Sequence, residues 1–420
     1  MRKFASIVLS AAMVMALATG CSSSSDSANT ADTTAAAAAE AGDAAEADTE
    51  AAEGTEAADA EGVMPAIAKE DLKIGVIHIT DPAEGSGYTY THDQGIVGMQ
   101  QNLGLDDSQI IRKNNVSDTD ATAIENAMRE CIEEGCQVIF ATSWGYMDIC
   151  EALADEYPDV IFSHGTGYKS NGVNFNNYFG RIYQARYLTG IAAGLKTETN
   201  KIGYVAAMQT PEVIGGFDAF ALGMQSVNPD AVVYVKYTNS WYDATLERQT
   251  ADALLDMGCD VIAQHCDTAN PQIAAQERGV WGCGYNADMT VDAPEAHLTA
   301  PVWNWGAVYT MEVQEVIDGT WKPEKIFLTM ADGLVDISPL SKNCAEGTAE
   351  AIEAAREKIV SGEFDVFEGP LYDNEGNQIL DENSCFVADI EGTSAKAGEP
   401  ITPAFIAGEL MFVVKGVEIQ

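Results

Sequence analysis

The first question is whether any set of reactive side chains has the spacing that a reaction needs. His265-Cys266-Asp267 puts an imidazole, a thiol and a carboxylate in one run, the donor types of a zinc site. The other histidines, His78, His92, His164 and His297, do not stand at ligand spacing around it, so no metal is expected. The nine cysteines include no C-x-x-C pair. Cys131, Cys136, Cys150, Cys259, Cys266 and Cys283 fall in or beside apolar segments, where Cys acts as a small hydrophobe. Free buried thiols are expected there, with Cys344–Cys385 a conceivable link near the C-terminus. The chain has no G-x-S-x-G, no H-E-x-x-H and no Walker loop. Gly190-Ile191-Ala192-Ala193-Gly194-Leu195-Lys196-Thr197 approaches the last with the wrong spacing and reads as a helix packed through small residues. Carboxylates that could serve general acid–base hydrolysis are present, but no motif pairs them.

What recurs is a different pattern: aromatic rings alternating with neutral hydrogen-bonding groups and a few carboxylates. It appears in Gly85-Ser86-Gly87-Tyr88-Thr89-Tyr90-Thr91-His92-Asp93, in Thr142-Ser143-Trp144-Gly145-Tyr146 and in Thr238-Asn239-Ser240-Trp241. Tyr285-Asn286-Ala287-Asp288 and Val302-Trp303-Asn304-Trp305 repeat it. Rings offer stacking faces to a flat ligand, and Asp, Asn and Ser read amino, ring N–H and hydroxyl groups. A phosphate would call for Lys/Arg or a glycine-rich nest at a helix start, and these segments have few cations. The chemistry is therefore binding, with no cofactor, of a planar ligand that is neutral or cationic and not phosphorylated. Each ring has a second reading as core, and Asp267 and Asp288 have one as helix N-caps.

These segments need elements to position them. From Asp71 to about Asp365, short apolar runs alternate with helical patterns, the signature of parallel α/β sheets. The pattern also duplicates. Lys73-Ile74-Gly75-Val76 recurs as Lys201-Ile202-Gly203-Tyr204, Gly98-Met99-Gln100 as Gly223-Met224-Gln225, and Gly135-Cys136-Gln137-Val138-Ile139 as Gly258-Cys259-Asp260-Val261-Ile262. Each copy predicts strand (74–79; 202–207), helix (93–103; 215–226), strand (109–112; 232–237), helix (120–134; 244–257) and strand (137–142; 260–264). Helix and strand follow at 147–156 and 159–163, and at 270–278 and 280–284. Two similar open α/β lobes result, and ligands of such sheets sit at the carboxyl ends of the strands. The aromatic segments stand there.

Composition narrows the partners. The chain has 420 residues, 22 Lys/Arg against 65 Asp/Glu and a formal net charge of −43. Nucleic acid and anionic membrane surfaces are met by basic clusters, and none is present. Met1-Arg2-Lys3, the apolar run Phe4–Leu17 and the small residues Ala18-Thr19-Gly20 have the layout of a secretory signal, residues 1–20. Ala18-Thr19-Gly20-Cys21 resembles a bacterial lipobox, which would lipidate Cys21 and tether the chain to a membrane without spanning it. Residues 22–62 hold eleven Asp/Glu, no Lys or Arg and no aromatic residue. The stretch 21–62 is thus expected to be a disordered acidic, Ala-rich tether.

With these residues in view, the chain resembles the basic membrane protein family of ABC-transporter substrate-binding lipoproteins. The resemblance runs from about Leu72 to Leu340. Its carriers are Gly87–Gly95, Phe140–Asp148, Gly180–Gly190, Pro211-Glu212-Val213-Ile214, Thr238–Trp241, Ala263–Asp267 and Val302–Gly306. They are most similar to the purine-binding branch. The resemblance implies a type I periplasmic-binding fold, two Rossmann-like parallel-sheet lobes joined by a three-strand hinge. Lobe one would be 63–178 with 303–330, lobe two 179–302 with 331–365, and 366–420 a C-terminal appendage. The nucleoside branch grips ribose with an acidic, Asn/Phe-containing motif where this chain has Gly85-Ser86-Gly87-Tyr88, and an Asp where it has His164. A free purine base is therefore expected over a nucleoside. Tyr88 and Trp144 would stack on the base, with Trp241 and Trp305 as alternates. Asp267, Asp288 and Asn304 would read its edge and Ser143 would assist. The implied partner is a membrane-embedded ABC permease, and the location the extracytoplasmic face of the cell membrane. A surface sensor of the same fold, a binder of a flavin or thiamine, and a nucleoside hydrolase are the competing readings.

Overall fold

The computed structural model describes residues 64–84 and 87–420. The leader 1–20, the lipobox Cys21, the tether 21–62 and the pair Gly85-Ser86 lie outside the described residues.

Two six-stranded sheets, each wholly parallel, organise the chain. The first contains β1 (Ile74–Ile77), β2 (Ile110–Lys113), β3 (Val138–Ala141), β4 (Ile161–Gly165), β5 (Phe175–Gly180) and β12 (Lys325–Leu328), in the order β12-β5-β4-β3-β1-β2. The second contains β6 (Lys201–Ala206), β7 (Val232–Tyr237), β8 (Val261–His265), β9 (Trp281–Cys283), β10 (His297–Thr299) and β16 (Val417–Ile419), in the order β10-β9-β8-β6-β7-β16. The central strands are unbroken apolar runs, Ile74-Gly75-Val76-Ile77 and Val138-Ile139-Phe140-Ala141, buried throughout. Helices covering both faces of a parallel sheet demand that pattern. The duplicated Lys-Ile-Gly motif supplies β1 and β6, which hold matching places in the two sheets.

Lobe one carries α1 (Tyr88–Leu103), α2 (Ala121–Glu133), α3 (Met147–Glu156) and α8 (Trp305–Asp318), with α1 packed on α8. Lobe two carries α4 (Ile182–Lys196), α5 (Pro211–Val227), α6 (Ala244–Asp256), α7 (Asn270–Glu277), α9 (Thr348–Ser361) and α10 (Pro403–Gly408). The chain passes between the lobes after β5, again between β11 (Pro301–Trp303) and α8, and again between β12 and β13 (Val335–Ile337). Strands β11 and β13 pair with each other, antiparallel. Among the described residues no helix is long and apolar enough to cross a membrane.

Two helices start earlier than the periodicity predicts. The sequence reads α1 from 93, yet it begins at Tyr88 behind Gly87, whose φ is +87°. Its opening Tyr-Thr-Tyr-Thr is poor in helix formers, and packing holds it, with Thr89, Thr91 and His92 buried. Helix α5 begins at Pro211 rather than 215, where Thr210 accepts a bond from Val213 N at 3.4 Å. The Gly190–Thr197 segment is indeed a helix packed through small residues. A Cβ on Gly190 would stand 2.0 Å from Phe220 O, and one on Gly223 would stand 1.9 Å from Tyr187 O, so α4 and α5 touch along their backbones. The eight described cysteines are all free thiols, Cys344 and Cys385 included.

Residues 373–377 form the turn between β14 (Leu371–Tyr372) and β15 (Gln378–Leu380), which pair antiparallel. The rest of the C-terminal segment does more than rest on the lobes: β16 lengthens the second sheet by pairing parallel with β7.

Candidate functional site

A cavity of about 860 Å³ lies between the lobes. Strand ends of the first sheet supply one side: Ile79 after β1, Ser143 and Trp144 after β3, Thr166, Gly167 and Tyr168 after β4, and Phe179 and Arg181 at β5. Strand β12 adds Lys325, Ile326 and Phe327. Strand ends of the second sheet supply the other side: Thr210, Pro211 and Glu212 after β6, Trp241 after β7, Asp267 after β8 and Tyr285 after β9. The site therefore sits at the carboxyl ends of both sheets, as the topology requires.

The lobe-one side is aromatic. Trp144 opens the short 3-10 turn Trp144–Tyr146 and is 42% exposed; Tyr168 is 54% exposed. Their rings lie 5.8 Å apart, tilted by 52°. Large rings left this bare at a concave surface offer stacking area to a ligand. Tyr88 is fixed differently. Its hydroxyl donates to Thr142 O at 2.6 Å and its ring meets His92 edge-on at 4.3 Å. Ser143 donates to Asp118 Oδ2 at 2.9 Å, and its carbonyl accepts from His164 Nε2 at 2.7 Å. Burial lowers His164 to about 4, so the ring is neutral at neutral pH with its proton on Nε2.

The lobe-two side is acidic. Asp267 is buried, and Asn286 Nδ2 donates to its Oδ1 at 2.9 Å. Burial, and then the neighbouring Glu247, Glu212 and Asp118, push its carboxyl well above the ordinary range. In its protonated form this group both donates and accepts. His265 Nε2 donates to Glu212 Oε1 at 3.0 Å, and burial lowers His265 to about 4. Tyr285 is backed by the Arg186 guanidinium, 3.8 Å from its ring centre. Among the described residues no cluster of three or more His, Cys, Asp and Glu could hold a metal.

Of the residues singled out in the sequence, Tyr88, Ser143, Trp144, Trp241 and Asp267 come together on this cavity. Asp288, Asn304 and Trp305 do not: they border a separate open groove of about 610 Å³ beside α1 and α8. Asp288 accepts from Thr290 N at 2.9 Å and lies 3.5 Å from His297 Nε2. Asn304 donates to Gly333 O at 3.0 Å. Trp305 is fully buried, stacked on His92 at 4.1 Å and on Trp303 at 4.4 Å, so both its faces are covered by protein rings.

Other lining residues were not singled out from the sequence as ligand contacts. Tyr168 and Tyr285 follow strand ends and Glu212 lies in a quoted motif, so their positions carried a signal. Lys325 and Phe327 come from a strand that returns late to the first sheet, and Arg181 stands 5.8 Å over the Phe327 ring. The cavity thus has two cations on its border, Arg181 and Lys325, whose place there the sequence did not indicate.

The family profile described as ABC transporter substrate-binding protein, PnrA-like (Bmp), matches residues 72–368. A purine-binding protein of Brucella abortus is 36% identical over 353 residues, covering 84% of this chain and 95% of its own. A Haloferax volcanii protein named for glucose binding by an ABC transporter is 36% identical over 307 residues, covering 73% of this chain and 77% of its own. Among solved structures, an ABC transporter solute-binding protein of Conexibacter woesei superposes with a TM-score of 0.59 at 21% identity, over 70% of this chain and 98% of that one. One from Aeropyrum pernix gives 0.61 at 18%, over 70% and 92%; at such identity these two speak for the fold. The chain belongs to the Bmp family of ABC transporter substrate-binding proteins, extracytoplasmic proteins that bind a small molecule and serve a membrane permease.

Proposed function

We propose that the interlobe cavity binds a purine, as the free base, and that closure of the lobes presents it to the permease without any bond being made or broken. The observation that carries this is the facing of two half-exposed rings, Trp144 and Tyr168, by the acids Asp267 and Glu212 across one cavity. A flat heterocycle stacks on the rings while its amino and ring N–H groups meet the acids. The purine-binding relative in Brucella abortus supports the choice of heterocycle. Ligand held between the lobes favours the closed arrangement in proportion to its extra contacts there. Lipidation of Cys21 would keep the protein at the membrane surface, with 21–62 as its tether.

Glucose is the second reading, favoured by the Haloferax volcanii relative; sugars too stack on Trp and bond carboxylates. A thermal-shift panel of adenine, guanine, their nucleosides, flavin, thiamine and glucose separates these readings. A ligand at a hundredfold excess over its Kd stabilises the native state by about 2.7 kcal/mol. A midpoint raised by a purine base supports the proposal, and one raised by glucose alone replaces it.

A further inference from the structure

Residues 369–420 lie beyond the family profile, yet they are built into lobe two. Strand β16 pairs Val417 with Val233 and Ile419 with Val235. Val414 N donates to the buried Asp218 of α5 at 3.1 Å, and Gln225 Nε2 donates to Lys415 O at 2.6 Å. Phe405, Ile406 and Leu410 are buried, which fixes α10 beside α5, the helix whose first turn lines the cavity. From this position Pro403, Ala404, Ala407, Gly408 and Glu409 complete the cavity wall. Glu409 is pinned from behind by Ser394 Oγ at 2.7 Å.

The small residues on this wall call for a reason. A Cβ on Gly408 would meet no atom within 4 Å, and its φ lies outside the left-handed region. Neither packing nor backbone geometry requires glycine there, and glycine in a helix costs stability. What its lack of a side chain preserves is space on the cavity side. The cavity, at about 860 Å³, falls in the range that encloses a drug-sized ligand, larger than a bare heterocycle.

We propose that α10 is the size-determining wall of the ligand site. Ala407 and Gly408 leave room for a substituent on the bound ring, and their bulk sets the largest one admitted. This rests on reading the cavity as a purine site. The test uses the full chain and its Gly408→Phe and Ala407→Phe variants, titrated calorimetrically with adenine and N6-benzyladenine, a free base that carries a bulky substituent. The expected result is that wild type binds both, and that each variant binds N6-benzyladenine at least tenfold more weakly, with a smaller loss for adenine. Variants that bind N6-benzyladenine like wild type overturn the wall and leave the purine reading standing. So does wild type that takes adenine and refuses N6-benzyladenine, or an equal loss of both ligands. Wild type that binds neither overturns the purine reading and this wall with it. Gly408→Ala, which adds one methyl into open space, should bind both ligands like wild type, and a variant that loses both overturns the wall.

Discussion

A Cβ on Gly87 would stand 2.1 Å from the backbone carbonyl oxygen of Asp267. The start of α1 in lobe one and the end of β8 in lobe two therefore meet backbone to backbone, at the edge of the cavity. Gly87 also has φ +87°, a conformation open mainly to glycine. Gly87→Ala is expected to hold the lobes apart. Small-angle scattering should show a larger radius of gyration, and ligand affinity should fall at least tenfold. An unchanged radius and affinity would mean that this contact has no part in closure.

Asp267 should act as a neutral acid. Burial and three neighbouring carboxylates raise its pKa, so the ionised form is disfavoured in the folded protein. Its contribution to stability is present at low pH and is lost as pH rises through the raised value. If the ligand bonds the protonated group, affinity also weakens with rising pH. Asp267→Asn should keep affinity within about threefold and flatten that dependence, whereas Asp267→Ala should lose at least tenfold. Calorimetric Kd values across a pH series check both statements.

Glu312 ties α8 to β4 and β5 inside lobe one. It accepts from Ser163 Oγ at 2.8 Å, Asn176 Nδ2 at 3.0 Å and Trp321 Nε1 at 3.3 Å, and burial pushes it up from 4.5 to about 7. The folded state binds this proton more tightly than the unfolded state does. Stability from this group is complete below pH 4.5 and declines as pH rises to about 7, by about 3 kcal/mol at 1.36 kcal/mol per unit. Subtracting the Glu312→Gln profile from that of wild type in denaturant titrations should isolate this decline. His164, His265 and His297, each lowered to about 4, act in the opposite sense and cancel in the difference.

Much of the fold was legible because its signals are local. The Lys-Ile-Gly repeat gave the two equivalent strands, and the Gly190–Gly194 spacing gave a close helix crossing. The site was legible in part for the same reason. Trp144 and Trp305 both follow strands in polar, aromatic segments, but Trp144 sits on an open turn while Trp305 begins a helix that turns it between His92 and Trp303. Nothing near either residue in sequence distinguishes a free ring from a sandwiched one. Arg181, Lys325 and α10 reach the cavity through pairings between distant segments, β5 with β12 and β7 with β16, which no local pattern announces.

The anchor is testable without a ligand. Cys21→Ala is expected to move the protein from the membrane fraction of the cells into the soluble extracytoplasmic fraction, with ligand binding unchanged. Immunoblots of the two fractions read the outcome directly, and a variant that stays with the membrane removes Cys21 as the anchor.

Calorimetric titration of adenine and guanine into wild type and Trp144→Ala measures whether the cavity binds a purine on Trp144. Wild type should bind one of the bases with one site per chain, and Trp144→Ala should lose at least tenfold in affinity, in line with about 1 kcal/mol of ring contact beyond the apolar area removed. Binding that survives Trp144→Ala unchanged, or a wild type that takes up neither base, would rule out a purine site on Trp144.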